Sequence, residues 1–271
     1  MIGQKELGYL IHDQIQFDEF PRFSIIQGAE GSGKKTLVNF IAKEMGCQYT
    51  FIEPKVDAVR EMIRNAYTVQ TPIIYVLLNG DSLSPSAKNA MLKVCEETPR
   101  NAYIIMLVED LNNVLETLLS RAHVYIMQPY TPSELLEYAQ TDSDIITDLC
   151  ETPGDVDKLM FIGAEEFYSY VEKVVDNIAT VSTANSFKIA EKIATKGEVD
   201  KYDMRLFLRA FKSVCGKRMR QAVADNDVEL QMLYSSGIKI VSNTLQQMNI
   251  TGINKGALFD MFILDIRKEW F

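Results

Sequence analysis

The chain predicts an α/β fold, a five-stranded parallel sheet with helices between the strands, followed by an all-helical remainder. Three observations carry this. Five short apolar runs recur between residues 23 and 127, amphipathic stretches at helical spacing separate them, and no run after residue 128 reads as a central strand. The length of 271 residues, with 47% hydrophobic and 24% charged residues, suits a globular chain of two or three domains.

A helix over 6–17 leads into the first strand, 23–27, which carries Phe23, Ile25 and Ile26. A glycine-rich loop follows, then a helix over 34–45 in which Leu37, Phe40, Ile41 and Met45 recur on one face. Strands at 49–52, 73–78, 102–108 and 124–127 alternate with helices at 56–66, 86–97 and 111–119. Past Gln128-Pro129-Tyr130-Thr131-Pro132 the pattern changes, and Ser133 reads as the N-cap of a helix over 134–139. Short helices at 143–150 and 155–162 complete a small bundle. Longer amphipathic helices are predicted at 167–179, 186–194, 201–223, 227–247 and 255–270, with a turn at Gly252-Ile253-Asn254. The chain divides on this pattern into 1–128, 129–164 and 165–271.

The loop Gly28-Ala29-Glu30-Gly31-Ser32-Gly33-Lys34-Lys35-Thr36 has the build of a phosphate-binding P-loop, and it sits between a strand and a helix as that motif requires. Glycines let the backbone wrap a phosphate, the helix N-terminus favours negative charge, and Lys34 reaches the outer phosphates. Gly28, Gly31, Gly33, Lys34, Lys35 and Thr36 are therefore the candidate nucleotide-binding residues. Lys35, however, stands where the motif places a Ser or Thr for magnesium. Thr36, one residue later, faces about 100° further round the helix and is a poor replacement.

Composition narrows the function classes. A net charge of −9 argues against bulk electrostatic binding of nucleic acid, so any DNA contact is local and shared with partners. No run is long and apolar enough for a membrane span, and the opening residues lack the pattern of a signal peptide, so a cytoplasmic protein is expected. Cys47, Cys95, Cys150 and Cys215 are scattered without metal or redox spacing, and His12 and His123 are isolated. Four reduced thiols and no zinc are expected.

Residues 81–99, Asp81-Ser82-Leu83-Ser84-Pro85-Ser86-Ala87-Lys88-Asn89-Ala90-Met91-Leu92-Lys93-Val94-Cys95-Glu96-Glu97-Thr98-Pro99, resemble the signature of bacterial clamp-loader AAA+ subunits, in which an Asp, a short turn and Asn-Ala-Leu-Leu-Lys precede Glu-Glu-Pro. Leu118-Leu119-Ser120-Arg121-Ala122 resembles that family's Ser-Arg-Cys motif, and Ile2-Gly3-Gln4 its opening Ile-Gly-Gln. Order and spacing agree through residues 1–128, and 252–259 are similar to the family's last collar helix. The resemblance implies a RecA-like AAA+ core with a P-loop over 1–128, a small helical lid over 129–164, and a helical collar for oligomerisation over 165–271.

The departures are as informative. Active members of the family have Asp-Glu where this chain has Leu78-Asn79; Leu cannot hold magnesium and Asn is no base. Asp81 lies about 10 Å beyond Leu78 at strand spacing and is expected to shape the turn before Ser84-Pro85. Asp157 stands where the family prefers a sensing arginine, with Lys158 beside it on another side of the helix. Arg121 is retained, and in the family this arginine enters the nucleotide site of a neighbouring subunit. The small subunits' zinc-binding cysteines are missing, only Cys47 falling in that interval.

The resemblance therefore implies a non-hydrolysing clamp-loader subunit of the delta-prime kind in a DNA polymerase III assembly. Its P-loop would hold ATP or ADP without hydrolysis, or a phosphate or sulfate ion. The expected partners are clamp-loader ATPase subunits, the delta subunit and the sliding clamp, with primer-template DNA reached through the assembly. Lys88 and Lys93, about 140° apart on one helix, are the candidate DNA contacts. The basic Lys212, Lys217, Arg218 and Arg220 read as interface or solvated surface. The alternatives are a delta-like clamp-opening subunit, an autonomous AAA+ ATPase or helicase loader using Asp81 or Glu109, and, less well matched, a small-molecule kinase.

Overall fold

The computed structural model describes residues 2–178, 203–248, 250 and 253–270. The helix predicted at 186–194 and Gly252 of the predicted turn lie outside these residues. Contacts divide the chain into two units, Met1–Glu134 with Thr152–Gly154, and Leu135–Glu151 with Asp155–Phe271.

The first unit is a three-layer α/β sandwich. In chain order it contains α1 (Lys5–Gln16), β1 (Phe23–Gln27), α2 (Lys34–Met45), β2 (Gln48–Ile52), α3 (Val56–Thr68), β3 (Ile73–Leu77), α4 (Pro85–Glu96), β4 (Ala102–Val108), α5 (Glu116–Leu119) and β5 (His123–Ile126). The strands form one parallel sheet in the order β2-β3-β4-β1-β5. Successive side chains point to opposite faces, which builds two cores. Phe23, Ile25, Tyr75, Leu77, Ile104 and Met106 pack with Val59, Met62, Met91 and Val94 of α3 and α4. Ile26, Ile74, Val76, Ile105 and Leu107 pack with Ile11, Leu37, Val38 and Ile41 of α1 and α2. All seven residues of β4 are buried, so its sequence reads as a continuous apolar run rather than an alternating one.

The strand predictions agree with the sheet within a residue at each end. Two local expectations do not hold. The helix predicted over 111–119 is broken: a 3₁₀ turn spans Leu111–Asn113, Val114 and Leu115 are extended, and α5 follows. The Asp110 carboxylate accepts from the Asn112 backbone N–H at 2.9 Å and closes the first turn on itself. Ser133 is not an N-cap, because the next helix, α6 (Pro132–Ala139), starts before it. Thr131 caps instead: its Oγ1 accepts from the Glu134 N–H at 3.3 Å while Glu134 Oε2 accepts from the Thr131 N–H at 2.8 Å. This is a capping box with proline at the first helical position, where its missing N–H costs nothing.

The second unit is helical. Beyond the start of α6 it holds α7 (Asp144–Leu149), most of α8 (Pro153–Ile162), α9 (Ala164–Asn177), α10 (Met204–Ala224), α11 (Val228–Gln247) and α12 (Lys255–Trp270). Phe207 and Phe211 of α10 meet Phe259 and Phe262 of α12 edge to face, at 5.5 and 5.3 Å between ring centres. Arg209, almost wholly buried, donates to the Leu149 carbonyl at 3.2 Å and to Asp155 at 2.8 Å, and pairs with Glu151. Caps set the helix starts: Ser143 before α7, Asp203 before α10 and Asp227 before α11.

Candidate functional site

All five strands run the same way, so the loops after them share one edge of the sheet and the loops before them share the other. Gly28 to Gly33 leaves β1 at the C-terminal edge and runs into α2. Gly31 and Gly33 have φ of +77° and +91°, a left-handed backbone that a side chain strains. Gly31 is also crowded: its carbonyl accepts from the Gly154 N–H at 3.0 Å, and a Cβ on it would lie 2.6 Å from Thr152 Oγ1. Gly154 cannot carry a side chain either, since its Cβ would lie 2.6 Å from the Gly31 Cα. The Tyr130 hydroxyl donates to the Ser32 carbonyl at 2.7 Å. Gln4 makes a double hydrogen bond with the Gln128 backbone, at 2.8 and 3.0 Å, where the chain leaves β5. The opening Ile-Gly-Gln thus has a physical role as a brace beside the P-loop, which the sequence alone did not reveal.

Lys34 folds back into its own loop, donating to the Gly28 and Ala29 carbonyls at 2.6 and 2.9 Å. Burial pushes its ammonium below the ordinary lysine value, against the pull of Glu109, Asp81 and Glu30. Three carboxylates thus act on one ammonium. Lys35 is exposed and reaches over the Phe51 ring, 5.4 Å from its centre. It gives this loop neither an oxygen ligand nor a second phosphate donor. Thr36 is exposed at the start of α2.

Leu78 packs against the core between the sheet, α1 and α2. Asn79 is exposed with φ of +46°, a left-handed position that Asn tolerates well, and its carbonyl accepts from the Ser82 N–H at 2.9 Å. The two positions are thus used for packing and for a turn. Asp81 does more than shape its own turn: its Oδ2 accepts from the Glu109 and Asp110 N–H groups at 3.0 and 3.2 Å, tying the ends of β3 and β4 together. This donor set supplies magnesium poorly, because Lys35 and Leu78 offer a metal no oxygen and Asp81 Oδ2 is taken by two backbone N–H groups. The glycine loop and Lys34 retain the chemistry of an anion cradle.

Within the helical unit, Asp157 accepts from the Tyr138 hydroxyl at 3.0 and 3.1 Å, and Lys158 pairs with Asp203 at 2.9 Å. On α4, Lys88 donates to the Asn113 carbonyl at 2.5 Å, while Lys93 is exposed. Cys95, Cys150 and Cys215 are buried and Cys47 is half-buried; burial pushes the Cys150 and Cys215 thiols up to about 12. His12 pairs with Glu44, and His123 lies tilted against Tyr125, 4.6 Å between ring centres.

The other edge carries Arg121, between α5 and β5. Its Nη1 donates to the Thr117 carbonyl at 2.7 Å and to Ser120 Oγ at 3.3 Å, and its Nη2 to Glu96 Oε1 at 2.6 Å. Glu96 is the last residue of α4. Both side chains line an open groove of about 500 Å³ with Arg22, Phe23, Thr98 and His123. Met127, at the P-loop edge, is six residue steps along the chain from Arg121, on the order of 20 Å at strand spacing.

Residues 52–131, spanning β3, the 81–99 segment and Arg121, match the protein family described as DNA polymerase III, delta subunit. Over those residues, less than a third of its length, this chain is similar to that family. It is 22% identical over 171 residues to the DNA polymerase III subunit gamma of Buchnera aphidicola subsp. Acyrthosiphon pisum, covering 51% of this chain and 47% of that one. With the delta' subunit of Bacillus subtilis it shares 19% identity over 157 residues, 46% of this chain and 48% of the other. Among solved structures, a DNA polymerase III gamma subunit-related protein of Thermotoga maritima superposes with a TM-score of 0.53 at 15% identity, covering 96% of this chain and 99% of that chain. At that identity the likeness shows a shared fold and nothing more. The chain spans about half or less of the length of the curated relatives it matches first.

Proposed function

We propose that this chain is a non-hydrolysing clamp-loader subunit of the delta-prime kind, which donates Arg121 to the nucleotide site of a neighbouring AAA+ ATPase during sliding-clamp loading. The observation that carries the reading is the placing of the two groups on one sheet. Arg121 sits at the strands' N-terminal edge, on the order of 20 Å from the P-loop edge, too far to serve its own loop and available to another chain. A guanidinium there neutralises charge developing on a transferred phosphoryl group.

The chain's own P-loop acts as scaffold, or cradles an anion such as phosphate, sulfate or an unhydrolysed nucleotide. The replaced Leu78, Asn79 and Lys35 support this part, and the carboxylates acting on Lys34 favour the scaffold over the anion. In the same reading residues 1–128, 129–164 and 165–271 serve as core, lid and collar. The partners are clamp-loader ATPases, the delta subunit and the clamp, with primer-template DNA met through Lys93 before Lys88, and the setting is the cytoplasm. A delta-like clamp-opening subunit is the neighbouring reading, which the retained P-loop and Ser120-Arg121 pair disfavour.

The test is magnesium-dependent ATP hydrolysis by the purified chain, alone and mixed with a DNA polymerase III gamma-type ATPase. Background turnover alone and stimulated turnover in the mixture are expected. Turnover by the chain alone would favour an autonomous ATPase.

A further inference from the structure

We infer that Glu96 is a latch on Arg121: it holds the guanidinium in its own subunit and yields it to phosphate only when a neighbour's nucleotide arrives. The inference rests on the arginine-donor reading above and adds a positioning residue to it. Arg121 is not waiting free. Both terminal nitrogens are engaged, by the Thr117 carbonyl at 2.7 Å, Ser120 Oγ at 3.3 Å and Glu96 Oε1 at 2.6 Å, and only the last of these partners is charged. The Arg121 and Glu96 side chains are 35% and 49% exposed, so the ion pair stands in water and is screened. Such a pair holds an arginine in place but resists displacement weakly. A phosphate carries more charge and more acceptor oxygens than a carboxylate, so it can take over the Nη2 donation that Glu96 Oε1 now accepts.

The Glu96 carboxylate therefore competes with phosphate for one guanidinium. The Thr117 carbonyl and Ser120 hydroxyl, both neutral, steady the side chain through the exchange. In a mixed assembly the latch weakens nucleotide binding at the shared site and lets the arginine withdraw once the phosphate has gone. Glu96 contacts no reacting atom and acts only through Arg121.

The experiment uses the chain assembled with its ATPase partner and compares wild type, Glu96→Gln, Arg121→Ala and the double variant. Two readouts are taken, ATP turnover and the affinity of the partner's site for a non-hydrolysable ATP analogue. Glu96→Gln, which keeps the shape and removes the charge, is expected to tighten the analogue about two- to fivefold, the range of an exposed ion pair. The same change appears in the KM for ATP rather than in kcat, and it shrinks as salt is raised. In the Arg121→Ala background Glu96→Gln should do nothing. Unchanged or weaker affinity in Glu96→Gln, or equal tightening with and without Arg121, overturns the latch. If Arg121→Ala alone leaves turnover and affinity at wild-type levels, the arginine-donor reading fails first. If Arg121→Ala is defective while Glu96→Gln is silent, only the latch falls.

Discussion

At the C-terminal edge of the sheet Lys34 turns inward onto the carbonyls of its own loop, within the field of three carboxylates; at the N-terminal edge Arg121 is held at the surface of an open groove by an exposed carboxylate, a backbone carbonyl and a hydroxyl. Both are the cations a nucleotide enzyme needs. The first is built into the packing: Gly31 and Gly154 touch backbone to backbone, Tyr130 holds Ser32, and Gln4 braces Gln128. The second is attached by contacts that exchange easily. A side chain surrounded by its own backbone contributes to stability, whereas one loosely tethered at a surface is available to a partner.

That contrast makes the two edges separable by experiment. Damage at the P-loop edge should appear in stability, and damage at the Arg121 edge should leave stability nearly untouched. The largest effect is expected for Gly154→Ala, whose Cβ would meet the Gly31 Cα at 2.6 Å. Backbone must move, and a loss of about 2–3 kcal/mol, several degrees in Tm, should be seen in thermal unfolding. Gln4→Ala removes both hydrogen bonds to the Gln128 backbone and should cost about 1–2 kcal/mol by denaturant titration. Arg121→Ala removes an exposed ion pair and two exposed hydrogen bonds, to Thr117 and Ser120, and a change within about 1 kcal/mol is expected in the same titration. Smallest is Lys35→Thr: it removes a cation over Phe51, should shift stability by about 0.5–1 kcal/mol, and should leave ATP turnover by the chain alone at background. A gain of turnover from that one change would show that only the metal ligand was missing, and the comparison would need redrawing.

Much of this was legible in the sequence, for reasons that differ by element. The strands announce themselves because β1, β3 and β4 are buried on both faces, and the P-loop because glycines at fixed spacing have few other uses. The replacement of an acidic pair by Leu78 and Asn79 was visible as a departure, but that Asn79 would hold a left-handed turn follows only from the backbone. Thr131 could have been found: Thr131-Pro132-Ser133-Glu134 is a capping box with a first-turn proline, and the nearer hydroxyl, Ser133, was the wrong choice. The Glu96–Arg121 pair and the Gly31–Gly154 contact were out of reach, since strand order and crossovers bring together residues separated by 25 and 123 positions.

The central claim is that chemistry lies with Arg121 and not with Lys34, and one paired measurement addresses it: ATP turnover by the mixed assembly carrying either Arg121→Ala or Lys34→Ala in this chain. The account predicts a fall on the order of 10²-fold for Arg121→Ala, the scale set by losing one donor to developing phosphoryl charge, with turnover within about twofold of wild type for Lys34→Ala. The reverse pattern, with Lys34 needed and Arg121 dispensable, would contradict it and return the active site to the chain's own P-loop.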